Sequence, residues 1–293
     1  MIQSSPIARR WKRLRVAPET SLQPVEAKQR QTWVLPDFEK QVFTERRSRF
    51  CVCVFLINEG ERFRAQLTRM RPFLAELDLI VADGGSADGS ADPDLSRNAG
   101  ARALLIKRSE GGLSSQMRMA LSYCLDEGYD GIITIDGNNK DDPSAFALFQ
   151  QALASGYDHV QGSRYVLGGR AVNTPALRHY AVTLLHAPLI SLAAGFHYTD
   201  TTNGFRAYSR RMLLDARVAP FREVFRAYEL HYYLAIRAAR LGYRCTEVPV
   251  TRSYPTGGDT PTKIRGFRGN ARILRTLLNA ARGAWSPKEN ASA

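Results

Sequence analysis

Apolar and polar positions along this chain fall into short blocks that change period in a regular way. Phe50-Cys-Val-Cys-Val-Phe-Leu-Ile57 is an unbroken apolar run, as expected for a strand covered on both faces. From Glu61 to Leu74 the period lengthens, with Phe63, Leu67 and Met70 on one helical face. Leu77 to Ala82 predicts a second strand and Leu104-Leu-Ile106 a third. Leu113 to Leu125 follows as a helix that aligns Leu113, Met117, Leu121 and Cys124. Gly131-Ile-Ile-Thr-Ile135 is the next strand, and Ser144 to Ala154 the next helix. Strands and helices that alternate at this spacing predict an α/β protein with a Rossmann-like, mostly parallel sheet flanked by helices. Right-handed crossovers then place every strand-to-helix loop along one edge of the sheet.

Beyond residue 156 the pattern loosens. His159-Val-Gln161 and Phe205-Arg-Ala-Tyr208 read as strands, Ala227 to Leu241 as a helix, and Cys245 to Val250 as a final strand. Between them, His179 to Thr199 carries no Lys, Arg, Asp or Glu. Its three histidines, Pro188, Ser191 and two threonines suit hydrocarbon poorly, so a core helix kinked near Pro188 is expected rather than a membrane span. A membrane-apposed helix is the other reading of this stretch.

Charge divides the chain further. Residues 1–49 hold 11 Lys/Arg against 5 Asp/Glu, and residues 263–293 hold 7 against 1, so the net of +13 splits as +6, +1 and +6. A nearly neutral body with two basic ends argues against a specific nucleic-acid groove and fits an anionic membrane surface or a polyanion. Three segments follow: a basic, poorly ordered extension over 1–48, a catalytic domain over 49–260, and a basic amphipathic helix and tail over 261–293. In the last, Ile264, Phe267, Ala271, Leu274, Leu278, Ala281 and Trp285 recur at helical spacing, with arginines on the other faces. The four cysteines, Cys51, Cys53, Cys124 and Cys245, show no Cys/His metal spacing and predict buried thiols in a reduced, cytoplasmic protein. The N-terminus lacks the apolar segment of a signal peptide, and Arg9-Arg10 has none behind it.

Candidate chemistry collects in three loops at the sheet edge. Asp136-Gly-Asn-Asn-Lys-Asp-Asp-Pro143 closes the strand ending at Ile135, and Asp136, Asn138, Asp141 and Asp142 are hard oxygen donors suited to Mg²⁺ or Mn²⁺. Such an ion keeps positions for phosphate oxygens, so the loop points to a metal–diphosphate site, although a solvated helix-starting turn capped by Asp142 fits the same residues. Asn58-Glu59 follows the first strand. Asp83-Gly-Gly-Ser-Ala-Asp-Gly-Ser90 follows the second, with Gly84 and Gly85 permitting close backbone approach. Neither a dinucleotide glycine fingerprint nor a P-loop lysine is present, which argues against NAD chemistry and ATP hydrolysis.

These loops, together with Gly162-Ser-Arg-Tyr165 and Thr202-Asn-Gly-Phe-Arg206, occur in the order seen in family 2 nucleotide-sugar glycosyltransferases, which the chain resembles from about residue 50 to 255. It resembles most the dolichol- and polyprenyl-phosphate sugar transferases. The resemblance implies a glycosyltransferase A-type fold and inverting transfer of a sugar from a nucleotide diphosphate to polyprenyl phosphate. It implies that Asp83 contacts the nucleobase, with Asn58, Glu59 and Ser86 near the nucleoside. Asp136 and Asn138 take the Asp-x-Asp metal positions, with Asp141 available to assist. Arg164 and Arg178 would hold the acceptor phosphate, and Arg206 would face the donor diphosphate. The sequence departs from the family at Gly84, Asn138, Lys140 and Val182, where Asp, Asp, Gln and Ser are usual; Lys140 could neutralise donor phosphate. A saccharide-hydroxyl acceptor would need a carboxylate base, for which Asp200 and Glu229 are the candidates. Three readings therefore stand: transfer to polyprenyl phosphate at the cytosolic membrane face, transfer to a saccharide hydroxyl, or a non-catalytic nucleotide-sugar or polyanion binder.

Overall fold

The computed structural model describes residues 25–256 and 266–287. Its centre is an eight-stranded sheet. Strands β1 (Phe38–Val42), β2 (Phe50–Leu56), β3 (Asp78–Asp83), β4 (Ala101–Lys107), β5 (Gly131–Asp136), β6 (His159–Ser163), β8 (Arg206–Ser209) and β9 (Cys245–Pro249) lie in the order β1-β4-β3-β2-β5-β8-β6-β9. A separate parallel pair joins β7 (Arg170–Val172) to β10 (Thr251–Ser253). Within the large sheet, β4-β3-β2-β5 are parallel, β1 is an antiparallel edge, and β8 runs antiparallel between β5 and β6.

Every residue of β2, β3 and β4 is buried, which explains the continuous apolar runs. On one sheet face, Cys51, Cys53 and Phe55 pack against α2 (Leu113–Asp126). On the other, Val52, Val54 and Leu56 meet Phe63, Leu67 and Met70 of α1 (Gly60–Met70) and Phe146 and Phe149 of α3 (Phe146–Ala154). The strand order reverses between β2 and β5, whose carboxyl ends, Asn58-Glu59 and Asp136, are therefore neighbours. That is the position where open α/β sheets bind ligands.

Several expectations are corrected. Residues 25–48 belong to the body, not to a loose extension. Phe38–Val42 pairs with β4, and Trp33 packs at a tilt on Phe221, 4.0 Å between centroids. An edge strand half open to water needs no apolar run, so hydrophobicity alone hides it. The rest of the 1–48 segment lies outside the described residues. The predicted 179–199 helix is three pieces: α4 (Ala176–Tyr180), a π-helical turn (Ala181–His186) and α5 (Ala187–Ala194), ended by left-handed Gly195. The wide turn precedes Pro188, which has no N–H for the carbonyl four residues back. Helix α6 (Glu229–Arg240) packs on α5, and α7 (Gly266–Ala281) packs on both. α7 buries Ile273, Thr276, Leu277 and Ala280, whereas Ala271 and Leu274 of the predicted stripe face outward. The thiols of Cys51, Cys53 and Cys124 are buried and lie within 4.8 Å of one another, a cluster made by the fold rather than by spacing.

Candidate active site

The loop after β5 is held from below and from the side. Gln66 of α1 donates to the Asp136 carbonyl at 2.8 Å and accepts from Asn139 N at 2.6 Å, fixing Asn139 in its left-handed conformation. Gly204 backs the Asp136 carboxylate so closely that a Cβ there would lie 2.6 Å from Oδ1. From the side, β10 runs antiparallel to residues 140–142. Asp142 N donates to Thr251 O at 2.9 Å and Ser253 N to Lys140 O at 2.8 Å.

This arrangement brings a cation no motif had indicated into the loop. Arg252 is buried, and its guanidinium bridges Asp141 Oδ2 and Asp136 Oδ2, the latter at 3.1 Å. Asp141 is fully buried and its Oδ1 has no hydrogen-bond partner among the described residues. Burial lifts its carboxyl to about 6, against the pull of Arg252 and with the push of Asp136. Asn138 Oδ1 accepts from Lys140 N at 3.3 Å. The Lys140 ammonium is buried 5.1 Å from the centre of the Tyr254 ring, and burial followed by nearby Arg252 lowers its pKa. Tyr254, also buried, accepts from Arg178 at 2.9 Å, and its hydroxyl is held below the usual phenol range. Burial opposes that shift, but Arg252 and Arg178 outweigh it.

Asp136, Asn138, Lys140, Asp141 and Arg178 therefore do converge, joined by Arg252 and Tyr254. The donor set suits a hard divalent ion. Asp136 and Asn138 are only partly buried, Asp141 Oδ1 is an orphaned buried acceptor, and only glycine leaves room beside Asp136.

Other expected residues are placed differently. Asp83 is fully buried; Oδ2 accepts from Gly85 N at 2.7 Å and Ser86 N at 2.8 Å, and Oδ1 accepts from the Ser86 hydroxyl. Both residues thus shape the turn instead of reaching outward. Asn58, with a positive φ, accepts from Ala87 N and so ties this turn to the end of β2. Glu59 is buried and pairs with Arg62 at 2.9 Å.

Arg206 was expected at the donor diphosphate, but each of its three guanidinium nitrogens donates to a backbone carbonyl. They reach Asn203, His231 and Thr201 at 2.9, 2.6 and 2.7 Å. Its strand lies inside the sheet, so the side chain points into protein. Arg164 was expected at the acceptor phosphate. It is instead buried against Asp200, with Nε–Oδ2 2.6 Å and Nη2–Oδ1 3.0 Å, and bonds Thr202 as well. Although burial pushes Asp200 upward, Arg164 and the surrounding donors hold it below the usual carboxylate range, which makes it a poor proton acceptor. Glu229, the other base candidate, accepts from Arg226 N at 3.0 Å and Ala227 N at 2.6 Å at the start of α6. The Thr183 hydroxyl, next to Val182, donates to His179 O at 2.9 Å.

The surface beside Arg178 is apolar. Leu177, Tyr180, Leu184 and Leu192 are 81%, 58%, 73% and 83% exposed, and recur at intervals that place them on one side of the α4–α5 segment. No helix among the described residues is long and apolar enough to cross a membrane.

No protein-family model matches the chain. The undecaprenyl-phosphate mannosyltransferase of Micrococcus luteus is 32% identical over 203 residues, spanning 66% of this chain and 79% of that protein. The dolichyl-phosphate hexose transferase of Haloferax volcanii is 30% identical over 210 residues, spanning 70% and 85%. The polyprenol monophosphomannose synthase of Mycolicibacterium smegmatis is 27% identical over 213 residues, spanning 69% and 77%. Among solved structures, glucosyl-3-phosphoglycerate synthase of Mycobacterium tuberculosis with uridine diphosphate superposes at TM-score 0.58 and 18% identity, covering 80% of each chain. A further structure of that enzyme holds Mn²⁺ as well and superposes at 0.57 and 19%, again over 80% of each chain. At these identities the structural match establishes the glycosyltransferase A-type fold.

Proposed function

We propose, from the premise that this chain belongs to the family 2, glycosyltransferase A-type enzymes related to polyprenyl-phosphate sugar transferases, that it transfers a sugar from a nucleotide diphosphate to a polyprenyl phosphate with inversion at the anomeric carbon. The observation that carries the acceptor assignment is Arg178 beside the exposed apolar face of α4–α5. A phosphate headgroup on a long hydrocarbon asks for just those two features, a guanidinium and an apolar flank, side by side.

The state of the carboxylates supports the same reading. A hydroxyl nucleophile needs a base, yet Asp200 is locked to Arg164 and Glu229 caps a helix start. A phosphate monoester, with a second pKa of about 6, is already ionised near neutrality and needs only orientation. Arg178 supplies that orientation, and Tyr254 holds Arg178. On the donor side, Lys140 places positive charge beside the Asp136 loop, where the diphosphate leaving group would gather charge. Asp136, Asn138 and Asp141 would hold Mg²⁺ or Mn²⁺, which supplies further neutralisation of the leaving diphosphate. The loop tied by Asp83, Ser86 and Asn58 would form the nucleoside pocket through its backbone.

The exposed leucines of α4–α5, with Arg272 and Arg275 on the outer side of α7, suit peripheral contact with an anionic membrane on its cytosolic face. The test is partition. Protein, Mg²⁺ or Mn²⁺, undecaprenyl phosphate and labelled nucleotide sugars, mannose and glucose donors first, are incubated and extracted into organic solvent. Label in that phase, lost with EDTA or Asp136→Ala, is expected. If no donor labels the lipid while one labels a soluble saccharide, the acceptor assignment is wrong.

A further inference from the structure

Arg252 occupies the space between the two carboxylates of the Asp136 loop, and backbone pairing on two sides places it there. The strand pairing of 251–253 with 140–142 and with β7 fixes its backbone, and Asn203 Oδ1 lies 3.4 Å from Nη1. Even before Arg178, which joins the cluster through Tyr254, is counted, the carboxylates have no spare negative charge. Asp136 and Asp141 contribute two negative charges; Arg252 and Lys140 contribute two positive ones, and Asp141, Arg252 and Lys140 are all buried. A divalent ion entering this set would leave two uncompensated positive charges away from water, an arrangement proteins avoid. The neutral Asn138, where a second carboxylate would have absorbed part of that excess, sharpens the conflict.

We infer that Arg252 is an internal counter-ion that competes with the divalent ion for Asp136 and Asp141, so that the ion binds firmly only together with the negative charge of a nucleoside diphosphate. The inference rests on the metal–diphosphate reading of the loop given above. Its consequence is that ion and donor load as one unit and leave as one unit. Without a diphosphate the guanidinium stays paired with both carboxylates and keeps them apart from solvent cations. With one, the added negative charge compensates both the ion and the released guanidinium. Arg252 also lies 6.0 Å from the Tyr254 ring centre, and Tyr254 holds Arg178, so loading of the donor side is transmitted to the group that faces the acceptor.

The experiment is a Mn²⁺ titration followed by the electron paramagnetic resonance signal of the free ion, which reads binding without turnover. Wild type, Arg252→Gln and Arg252→Lys are each titrated alone and with UDP or GDP, with a melting curve to show each is folded. In wild type, nucleoside diphosphate is expected to tighten Mn²⁺ by at least about tenfold, the worth of one charge-assisted pair. Without nucleotide, Arg252→Gln is expected to bind Mn²⁺ at least about tenfold more tightly than wild type, and Arg252→Lys to stay near wild type. Equal Mn²⁺ affinity in wild type and folded Arg252→Gln overturns the inference. If the glutamine variant does not fold, wild-type affinity that is the same with and without nucleotide overturns it alone. Absence of Mn²⁺ binding in every state overturns it together with the metal reading, whereas tight, nucleotide-independent binding overturns the exchange and leaves the metal reading standing.

Discussion

Asp200→Asn separates a proton acceptor from a structural anion, because the two roles predict different losses. In the structure Asp200 is fully buried and Arg164 nearly so, joined by contacts of 2.6 and 3.0 Å. The asparagine keeps the shape and removes the charge, leaving a guanidinium without a counter-ion in the interior. Breaking one partner of a buried pair costs about 3–5 kcal/mol, since the remaining charge cannot recover its hydration. For a domain of this size, that corresponds to a fall in melting temperature of roughly 10 °C. The double variant Arg164→Met/Asp200→Asn removes the stranded charge and should regain a large part of the loss, giving a coupling of a few kcal/mol in a double-mutant cycle. Urea denaturation of the four proteins measures the cycle, and steady-state rates across pH 6–9 accompany it. If Asp200→Asn unfolds at the wild-type urea concentration while turnover drops by orders of magnitude and loses an acidic-limb ionisation, Asp200 is a general base and the pairing argument fails.

Further outcomes follow from the same geometry. Arg178→Ala should lower kcat/KM for polyprenyl phosphate by about ten- to a hundredfold, the loss of a charge-assisted phosphate contact, and leave donor binding by calorimetry unchanged. Gly204→Ala drives a methyl to 2.6 Å from Asp136 Oδ1, so its transfer rate should fall by more than about tenfold, with Mn²⁺ affinity in the presence of nucleotide falling in parallel. Burial, reinforced by Asp200 and opposed by donors from Thr199 and Asp200, raises Glu247 from an ordinary 4.5 to about 7. The folded state thus holds this proton longer than the unfolded chain. Stability is fully present below 4.5 and declines as pH rises toward 7, by roughly 3 kcal/mol at most. Glu247→Gln should flatten that decline in melting curves from pH 4.5 to 8. Leu184→Asp with Leu192→Asp should reduce sedimentation with anionic vesicles at unchanged melting temperature, and equal sedimentation would remove the apolar face from the membrane reading.

What was legible in the chain depended on how many faces of an element are covered. β2 and β5 are buried almost throughout, and their apolar runs announce both the strands and the loop at Asp136. β1 is open to water on its outer side, so its Phe-Glu-Lys-Gln-Val pattern carries no comparable signal. The helix α7 is recognisable by period, yet the buried stripe is Ile273, Thr276, Leu277 and Ala280. Two faces of that helix carry apolar residues, and only the neighbouring α5 and α6 decide between them. Among polar groups, motif order singled out Asp136, Asn138 and Lys140, which the structure holds together in one loop beside Arg252. It misplaced Arg164 and Arg206 because a motif records a residue type and not the direction of its side chain. The pairing of Arg252 with the Asp136 loop was not legible for a different reason. Arg252 is 111 positions from Asp141, and only the pairing of two short strands brings them into contact. Its neighbour Tyr254 shares that history.

The most direct test of sugar transfer to a lipid phosphate is the chemical identity of the product. Undecaprenyl phosphate and the accepted nucleotide sugar are incubated with the enzyme, and the extracted lipid is examined by mass spectrometry and ³¹P NMR. The account predicts one hexose added to the lipid and conversion of the phosphate monoester signal to that of a phosphodiester. An unchanged monoester signal, with the sugar found on a hydroxyl or released free, would contradict it.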